Sequence, residues 1–286
     1  MALAESTGGV IVNADSAQLY RDLPILSAAP SPEEHKRAEH RLYGVVDGAE
    51  ACSAADWAAM AKREIADIQA ARRLPILVGG TGLYLRTLLD GIAPVPPIEP
   101  ALRAGVREAR VEENRAQLEQ ADPEAAARLN AADRTRIARA LEVVLSTGKP
   151  LAEWQEQREG GISDSVDLRP LILLPPRDWL YARCDARFAE MVEHGAAEEV
   201  ERLLGRGLSP SLPVMRGIGV RELGAFLAGS SSLADAISAG QQATRNYAKR
   251  QYTWFAHQPP AEWPRFDEPL DGDAIGRALE LLGAKA

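Results

Sequence analysis

Two short apolar runs restrict the folds open to this chain. Val10-Ile-Val-Asn-Ala14 and Pro75-Ile-Leu-Val78 each suit a buried strand and are too short for a helix. Between them, Ser53-Ala-Ala-Asp56 has the pattern of a capping box that opens an alanine-rich helix to about Ala71. Arg72 and Arg73 then suit the negative end of its dipole. After the second run, Gly79-Gly80-Thr81 makes a tight turn into another helix that ends near Asp90. Strand, helix, strand, glycine turn and helix is the order of a parallel α/β sheet, whose ligand crevice lies at the carboxyl ends of its strands. Asp15 and Thr81 both stand at such ends.

The remaining chain extends this plan. A proline-rich loop is expected from Leu23 to Pro32, and a second proline cluster, Pro94, Pro96, Pro97 and Pro100, marks a break. From about Glu99 to Ser165 the pattern is helical and polar without a strand-like run; Arg169-Pro-Leu-Ile-Leu-Leu174 then returns to a buried strand. The reading is an α/β core over residues 1–96 and 167–286, interrupted by a helical insertion over 97–166. Helices are expected from Asp178 to Leu204, Arg216 to Leu227 and Leu233 to His257. Met1 to Gly9 reads as the last turn of a helix stopped by glycine, which implies that a segment ahead of it has been lost.

Composition removes several classes. With 46% hydrophobic and 26% charged residues, the 286-residue chain has enough apolar surface for a core and is neither fibrous nor disordered. No apolar run approaches the roughly 20 residues of a membrane span, and no signal segment opens the chain, so a cytoplasmic protein is expected. Cys52 and Cys184 have no metal-like spacing and read as small buried thiols, and the four histidines show no ligand spacing. A net charge of −8 has the wrong sign for a protein that simply coats nucleic acid, so any anion site must come from local clustering of its 28 arginines and five lysines.

Five segments can carry chemistry. In Asn13-Ala-Asp15-Ser16-Ala17-Gln18-Leu-Tyr20, the Asp15 carboxylate can accept a proton from an attacking amine or hydroxyl, or it can merely cap a turn. The Gly79-Gly80-Thr81-Gly82 turn lets backbone approach a ligand and offers helix N–H groups to an anion, and a plain N-cap explains it equally well. Asp133 caps a helix ended by Gly148, with Ile137, Leu141 and Val144 on one stripe and Arg136 and Arg139 on an outward face. Arg183 and Arg187 share a face of the helix from Asp178 and can together clamp a diphosphate or pair with nearby acids. In Thr244 to Phe255, Arg245, Lys249 and Tyr252 align at helical spacing, with Tyr247 and Trp254 on the far side.

Taken in order, NADSAQLY, VGGTGLY, RIARALEV, RFAEMVEHG and TRNYAKRQYTW resemble the tRNA dimethylallyltransferases over some nine-tenths of the chain. The resemblance implies a P-loop-type parallel core with an inserted helical domain that grips the anticodon arm of tRNA; a monomer is the default expectation. It implies attack of the exocyclic amine of a flipped-out adenine on dimethylallyl diphosphate, with Asp15 as base, Thr81 at the reaction channel and Arg187 steadying the diphosphate. Arg183 and Arg221 are further candidates for diphosphate. Asp15, Ser16, Ala17, Gln18, Thr81, Arg103, Thr135, Arg136, Ile137, Ala138 and Arg139 match stretches that touch tRNA, and Lys249 and Arg250 are expected on its backbone.

Two departures accompany the match. The family's glycine-rich phosphate loop ending in Gly-Lys-Ser or Gly-Lys-Thr does not occur in these 286 residues. Its backbone nest, its lysine and the hydroxyl that holds the expected Mg2+ are therefore missing. Either Met1 is an internal methionine mistaken for the start or the chain is a true truncation. In the second case little or no transferase activity is expected, although the tRNA-contacting surfaces remain. Leu26-Ser-Ala-Ala29-Pro30 also stands where many relatives carry Gly-Thr-Ala-Lys-Pro. The alternatives are a P-loop kinase relative that uses ATP on a small acceptor, and an RNA-binding remnant without chemistry.

Overall fold

The computed structural model describes residues 1–283. It divides into two compact units, one of residues Met1–Leu88 with Asp167–Ala286 and one of Leu89–Val166.

The first unit is built on a parallel sheet in the order β2-β1-β3: β1 (Val10–Asn13), β2 (Glu39–Arg41) and β3 (Pro75–Val78). All four β1 residues are buried, as a central parallel strand requires. Helix α1 (Ala2–Thr7) leads into it and ends at Gly8, whose φ of 65° is left-handed. Helix α2 (Pro32–Arg37) and strand β2 follow the proline-rich loop. Neither is expected from sequence, and for β2 the reason is that Glu39-His40-Arg41 has no apolar residue and its side chains are only half-buried. Helix α3 (Ala54–Ala70) starts at the expected capping box on Ser53 and Asp56. It buries Trp57 completely, with the indole N–H donating to the Asn13 carbonyl at 2.9 Å and the ring stacked on Tyr84. Helix α4 (Gly82–Asp90) leaves β3 through the glycine turn. Arg73, expected at a helix dipole, instead donates to the Gly8 carbonyl and pairs with Glu39, tying β2 to the start of β1.

The second unit holds α5 (Pro100–Glu108), α6 (Val111–Ala121), α7 (Pro123–Arg128), α8 (Arg134–Thr147) and α9 (Leu151–Glu156). Val106, Leu118, Ile137 and Leu141 form its core with small alanines between them. Asp133 caps α8 through the Arg136 N–H, and Gly148 ends it at φ 69°.

The chain returns to the first unit through β4 (Ile172–Leu173), a much shorter strand than the run Arg169 to Leu174 suggests, and it does not join the first sheet. Its ladder partner is β5 (Arg265–Phe266), in a separate parallel pair whose Phe266 packs on Ala274 and Ala278. The single helix expected from Asp178 to Leu204 is two, α10 (Arg177–Glu193) and α11 (Ala196–Gly205), because Gly195 between them adopts φ 98°. A left-handed residue interrupts a right-handed helix. Gly219, at φ 96°, likewise delays α12 (Val220–Leu227). The 25-residue α13 (Leu233–His257) lies against α10 where Gly240 meets Phe188; a Cβ at Gly240 would stand 2.0 Å from that ring. Helix α14 (Ala274–Leu281) follows β5. Buried Glu199 on α11 accepts the N–H groups of Ile25 and Leu26 at 2.7 and 2.9 Å, which anchors the loop after β1. Among the described residues no helix is long and apolar enough to cross a membrane.

Candidate active site

The end of β1 is shaped by Asn13, whose side chain is fully buried. Its amide oxygen accepts the Asp15 N–H at 2.7 Å, and its amide nitrogen donates to the carbonyls of Asp15 and Leu42, both at 2.9 Å. The backbone on both sides of Asp15 is thereby fixed. The Asp15 carboxylate accepts the Ala17 N–H at 2.9 Å, so the turn-capping reading holds for one of its oxygens. Burial pushes its pKa above the ordinary aspartate value, while the Ala17 N–H and the Arg187 charge pull it back down. A carboxyl held above its usual range is a better proton acceptor than a solvated one. The charge of Arg187 on α10 thus acts on Asp15, which stands two residues past β1.

Thr81 joins this group from the other strand. Its hydroxyl accepts the Ser16 N–H at 3.0 Å and reaches the Ser16 hydroxyl at 3.2 Å, while its own N–H donates to the Ala14 carbonyl at 3.2 Å. The glycines around it make room for protein rather than for a ligand. A Cβ at Gly79 would lie 2.1 Å from the Ala14 carbonyl carbon, one at Gly80 2.0 Å from Gln251 Nε2, and one at Gly82 2.5 Å from the Trp254 ring. Gln251 donates to the Gly80 carbonyl at 3.0 Å.

Helix α13 therefore presents Tyr247, Gln251 and Trp254, at i, i+4 and i+7, to the glycine turn. Sequence reasoning misses the role of this face, although the spacing is visible. The Tyr247 hydroxyl faces Thr81 and Gln251; burial, reinforced by the Asp15 charge, raises its pKa. Tyr43 is pushed up to about 12 by burial and by the same carboxylate. Two phenols thus flank Asp15, and neither ionises near neutral pH.

The other expected residues divide. Ser16 stays with Asp15 and Thr81, and Ala17 is exposed beside them. The Gln18 amide is spent inside the protein, donating to the carbonyls of Ser27 and Ala28. Arg183 is exposed and lies over the Trp179 ring at 5.0 Å, and Arg221 is 88% exposed and pairs with Glu222. Lys249 and Arg250 are exposed on α13, with Arg250 over Tyr247. Arg245 aligns with them in sequence but is bound to Asp185 of α10.

In the second unit Thr135 and Arg136 are exposed, Arg136 pairing with Asp133. Ile137 and Ala138 are a correction, since both side chains are buried in that unit's core and present no surface to an RNA. Arg103 and Arg139 lean over buried Glu142. Among the described residues there is no group of three or more His, Cys, Asp or Glu that could hold a metal ion. Cys52 is half-buried and Cys184 buried.

Comparison with known proteins gives this geometry its context. A family profile described as IPP transferase matches residues 18–258. The chain belongs to the IPP transferase family. A tRNA dimethylallyltransferase of Sphingopyxis alaskensis is 60% identical over 276 residues, 96% of this chain and 90% of its own. One from Novosphingobium aromaticivorans is 61% identical over 95% of this chain and 98% of its own. Among solved structures, the full-length tRNA isopentenylpyrophosphate transferase of Bacillus halodurans superposes with a TM-score of 0.69 at 31% identity, covering 99% of this chain and 88% of that one. A eukaryotic dimethylallyltransferase acting on tRNA gives 0.74 at 28% identity over 88% of this chain and 64% of its own. The α/β class of this IPP transferase is thus shared with solved relatives, although its sheet is split into two pieces.

Proposed function

We propose that this protein transfers a dimethylallyl group from dimethylallyl diphosphate to the exocyclic amine of an adenine beside the anticodon of a tRNA. The observation that carries the reading is a carboxyl with a raised pKa, Asp15, under the influence of Arg187 and flanked by Thr81 and Tyr247, at the carboxyl ends of parallel strands. The adenine nitrogen forms a bond to the first prenyl carbon as the bond from that carbon to the diphosphate oxygen breaks. The bonding pair leaves with diphosphate, and the amine proton passes to Asp15. Arg187 meets the charge that develops on the leaving oxygens, where a fixed cation stabilises the transition state more than the ground state. Thr81 and Ser16 line the path of the base.

Extruding the adenine from its stack costs a few kcal/mol, which contacts to the anticodon arm offset. Exposed Lys249 and Arg250 on the first unit, and Arg103, Thr135, Arg136 and Arg139 on the second, supply candidate backbone contacts. Relatives 60% and 61% identical over nearly the whole chain favour the transferase over a kinase relative or a remnant. Incubation with unmodified tRNA and radiolabelled dimethylallyl diphosphate is expected to label the RNA, and Asp15→Ala is expected to abolish labelling while tRNA still binds. Undiminished labelling by Asp15→Ala would reject Asp15 as base. Consumption of ATP with a small acceptor would point to the kinase, and salt-sensitive tRNA binding without label to the remnant.

A further inference from the structure

Glu142 lies on α8 in the core of the helical unit, 1% exposed. Three guanidinium groups converge on it. Arg107 Nε donates to Oε1 at 2.9 Å, while Arg103 Nε and Arg139 Nη1 each stand 3.8 Å from Oε2. Arg103 and Arg107 come from successive turns of α5, and Arg139 sits one turn before Glu142 on α8. One carboxylate against three guanidiniums leaves this cluster with two positive charges in excess.

The two longer contacts are too long for hydrogen bonds, and buried Oε2 has no hydrogen-bond partner. Arg103 and Arg139 are therefore drawn together by charge while their N–H donors stay unspent on this carboxylate. Their side chains are 44% and 41% exposed, and that of Arg107 is 63% exposed. The Arg107 carbonyl also accepts from Arg134 at 2.6 Å, which fixes the end of α5 against the start of α8. Without Glu142, three guanidiniums this close would repel one another and splay into solvent. With it, three planar forks are held at one place on the surface with their outer edges open, an arrangement that suits phosphate oxygens.

We propose that Glu142 is a positioning residue that assembles Arg103, Arg107 and Arg139 into a receptor for phosphates of the tRNA backbone. This rests on the tRNA reading above and deepens it. Arg103 and Arg139 stand in stretches that the family resemblance assigns to tRNA, whereas Arg107 and Glu142 do not.

The sign of one substitution separates this role from simple charge attraction. Glu142→Gln keeps the shape and makes the surface more positive, so attraction alone predicts tighter binding of tRNA. Positioning predicts weaker binding, because the forks are no longer gathered. The measurement is the Kd of unmodified tRNA by filter binding over a series of KCl concentrations, with KM and kcat from the labelling assay. Glu142→Gln is expected to raise Kd and the KM for tRNA several-fold while leaving kcat at saturating tRNA and the KM for dimethylallyl diphosphate unchanged. Arg107→Gln, at an exposed position, is expected to weaken binding by roughly tenfold and to reduce the slope of log K against log salt by about one. Arg107→Lys should restore the slope and only part of the affinity, since an ammonium keeps the charge but not the fork.

Equal or tighter tRNA binding by folded Glu142→Gln would overturn the positioning role. An unchanged Kd and salt slope for Arg107→Gln would overturn the receptor, including in the case where Glu142→Gln fails to fold. Either result with normal labelling by the wild type leaves the transferase reading intact. A wild type that binds no tRNA removes both.

Discussion

Gly79→Ala tests whether the close approach of β3 to the end of β1 sets the position of Asp15. A Cβ there would stand 2.1 Å from the Ala14 carbonyl carbon, 2.3 Å from its oxygen and 2.6 Å from the Asp15 nitrogen. All three are backbone atoms, so no side chain can turn aside. Reaching an ordinary contact of 3.4 Å from 2.1 Å requires the two segments to part by about 1.3 Å. Three hydrogen bonds span that gap: Ala14 N–H to Val78 O at 2.8 Å, Thr81 N–H to Ala14 O at 3.2 Å and Ser16 N–H to Thr81 Oγ1 at 3.0 Å. At about 1 kcal/mol each, their loss costs about 3 kcal/mol, corresponding to a fall in Tm of roughly 5 °C for a chain of this size.

The catalytic effect should be larger than the stability loss alone implies. A reacting group misplaced by about 1 Å commonly loses on the order of 100-fold in rate, and Asp15 would move by about that much. Gly105→Ala is the matched control. Gly105 lies within α5, and a Cβ added there would meet nothing within 4 Å, so alanine is expected to stabilise the protein by about 0.5–1 kcal/mol. Differential scanning fluorimetry and single-turnover labelling read the two effects. If Gly79→Ala melts within about 2 °C of wild type and keeps roughly a third of its turnover, the glycine does not set the site.

Three further outcomes are expected. Asp15 has a folded pKa above its unfolded value of 3.8, so its contribution to stability is fully present below that value and is lost as pH rises through the folded pKa. Asp15→Asn should therefore melt above wild type at about pH 8, with the gap closing towards about pH 3.5, while labelling is lost; an equal gap at both pH values would mean that burial does not act on the charge. Arg187→Gln removes an attraction that holds the Asp15 pKa down, so the acid limb of kcat against pH should move to higher pH and kcat should fall; an unmoved limb would separate the two residues. Tyr247→Phe removes a hydroxyl facing Thr81 and Gln251 and is expected to lower kcat by roughly five- to tenfold with the KM for tRNA little changed, as loss of one hydrogen bond implies; full turnover would exclude a role for that hydroxyl.

Legibility follows how local each determinant is. The capping box at Ser53 and Asp56, the glycine stops at Gly8 and Gly148, and the two apolar strands depend on neighbours in sequence and can be read from it. Strand β2 is not legible because its place in the sheet comes from pairing with β1, not from any apolar character of Glu39-His40-Arg41. The break at Gly195 is visible as a glycine but is masked by helical periodicity that continues on both sides. Within the site, Asp15 and Thr81 are legible from their strand ends. The contribution of Tyr43 is not, since it depends on burial beside a carboxylate 28 residues away in sequence. Arg245 misleads for the converse reason: its helical alignment with Lys249 is real, but Asp185 on another helix claims it.

Asp15 and Glu142 show why one kind of group serves opposite ends here. Each is a carboxylate withdrawn from water, and the surroundings decide its use. Around Asp15 the neighbours are mostly neutral: an amide clamp from Asn13, the phenols of Tyr43 and Tyr247, and one arginine acting from another helix. Burial then dominates and leaves a carboxyl with an appetite for a proton. Around Glu142 three guanidiniums stand within 4 Å. There the carboxylate is surrounded by cations, and the role proposed for it is to hold them in place. A proton acceptor needs few cations near it and an anion receptor needs several, so neither carboxylate could do the work of the other in its own surroundings.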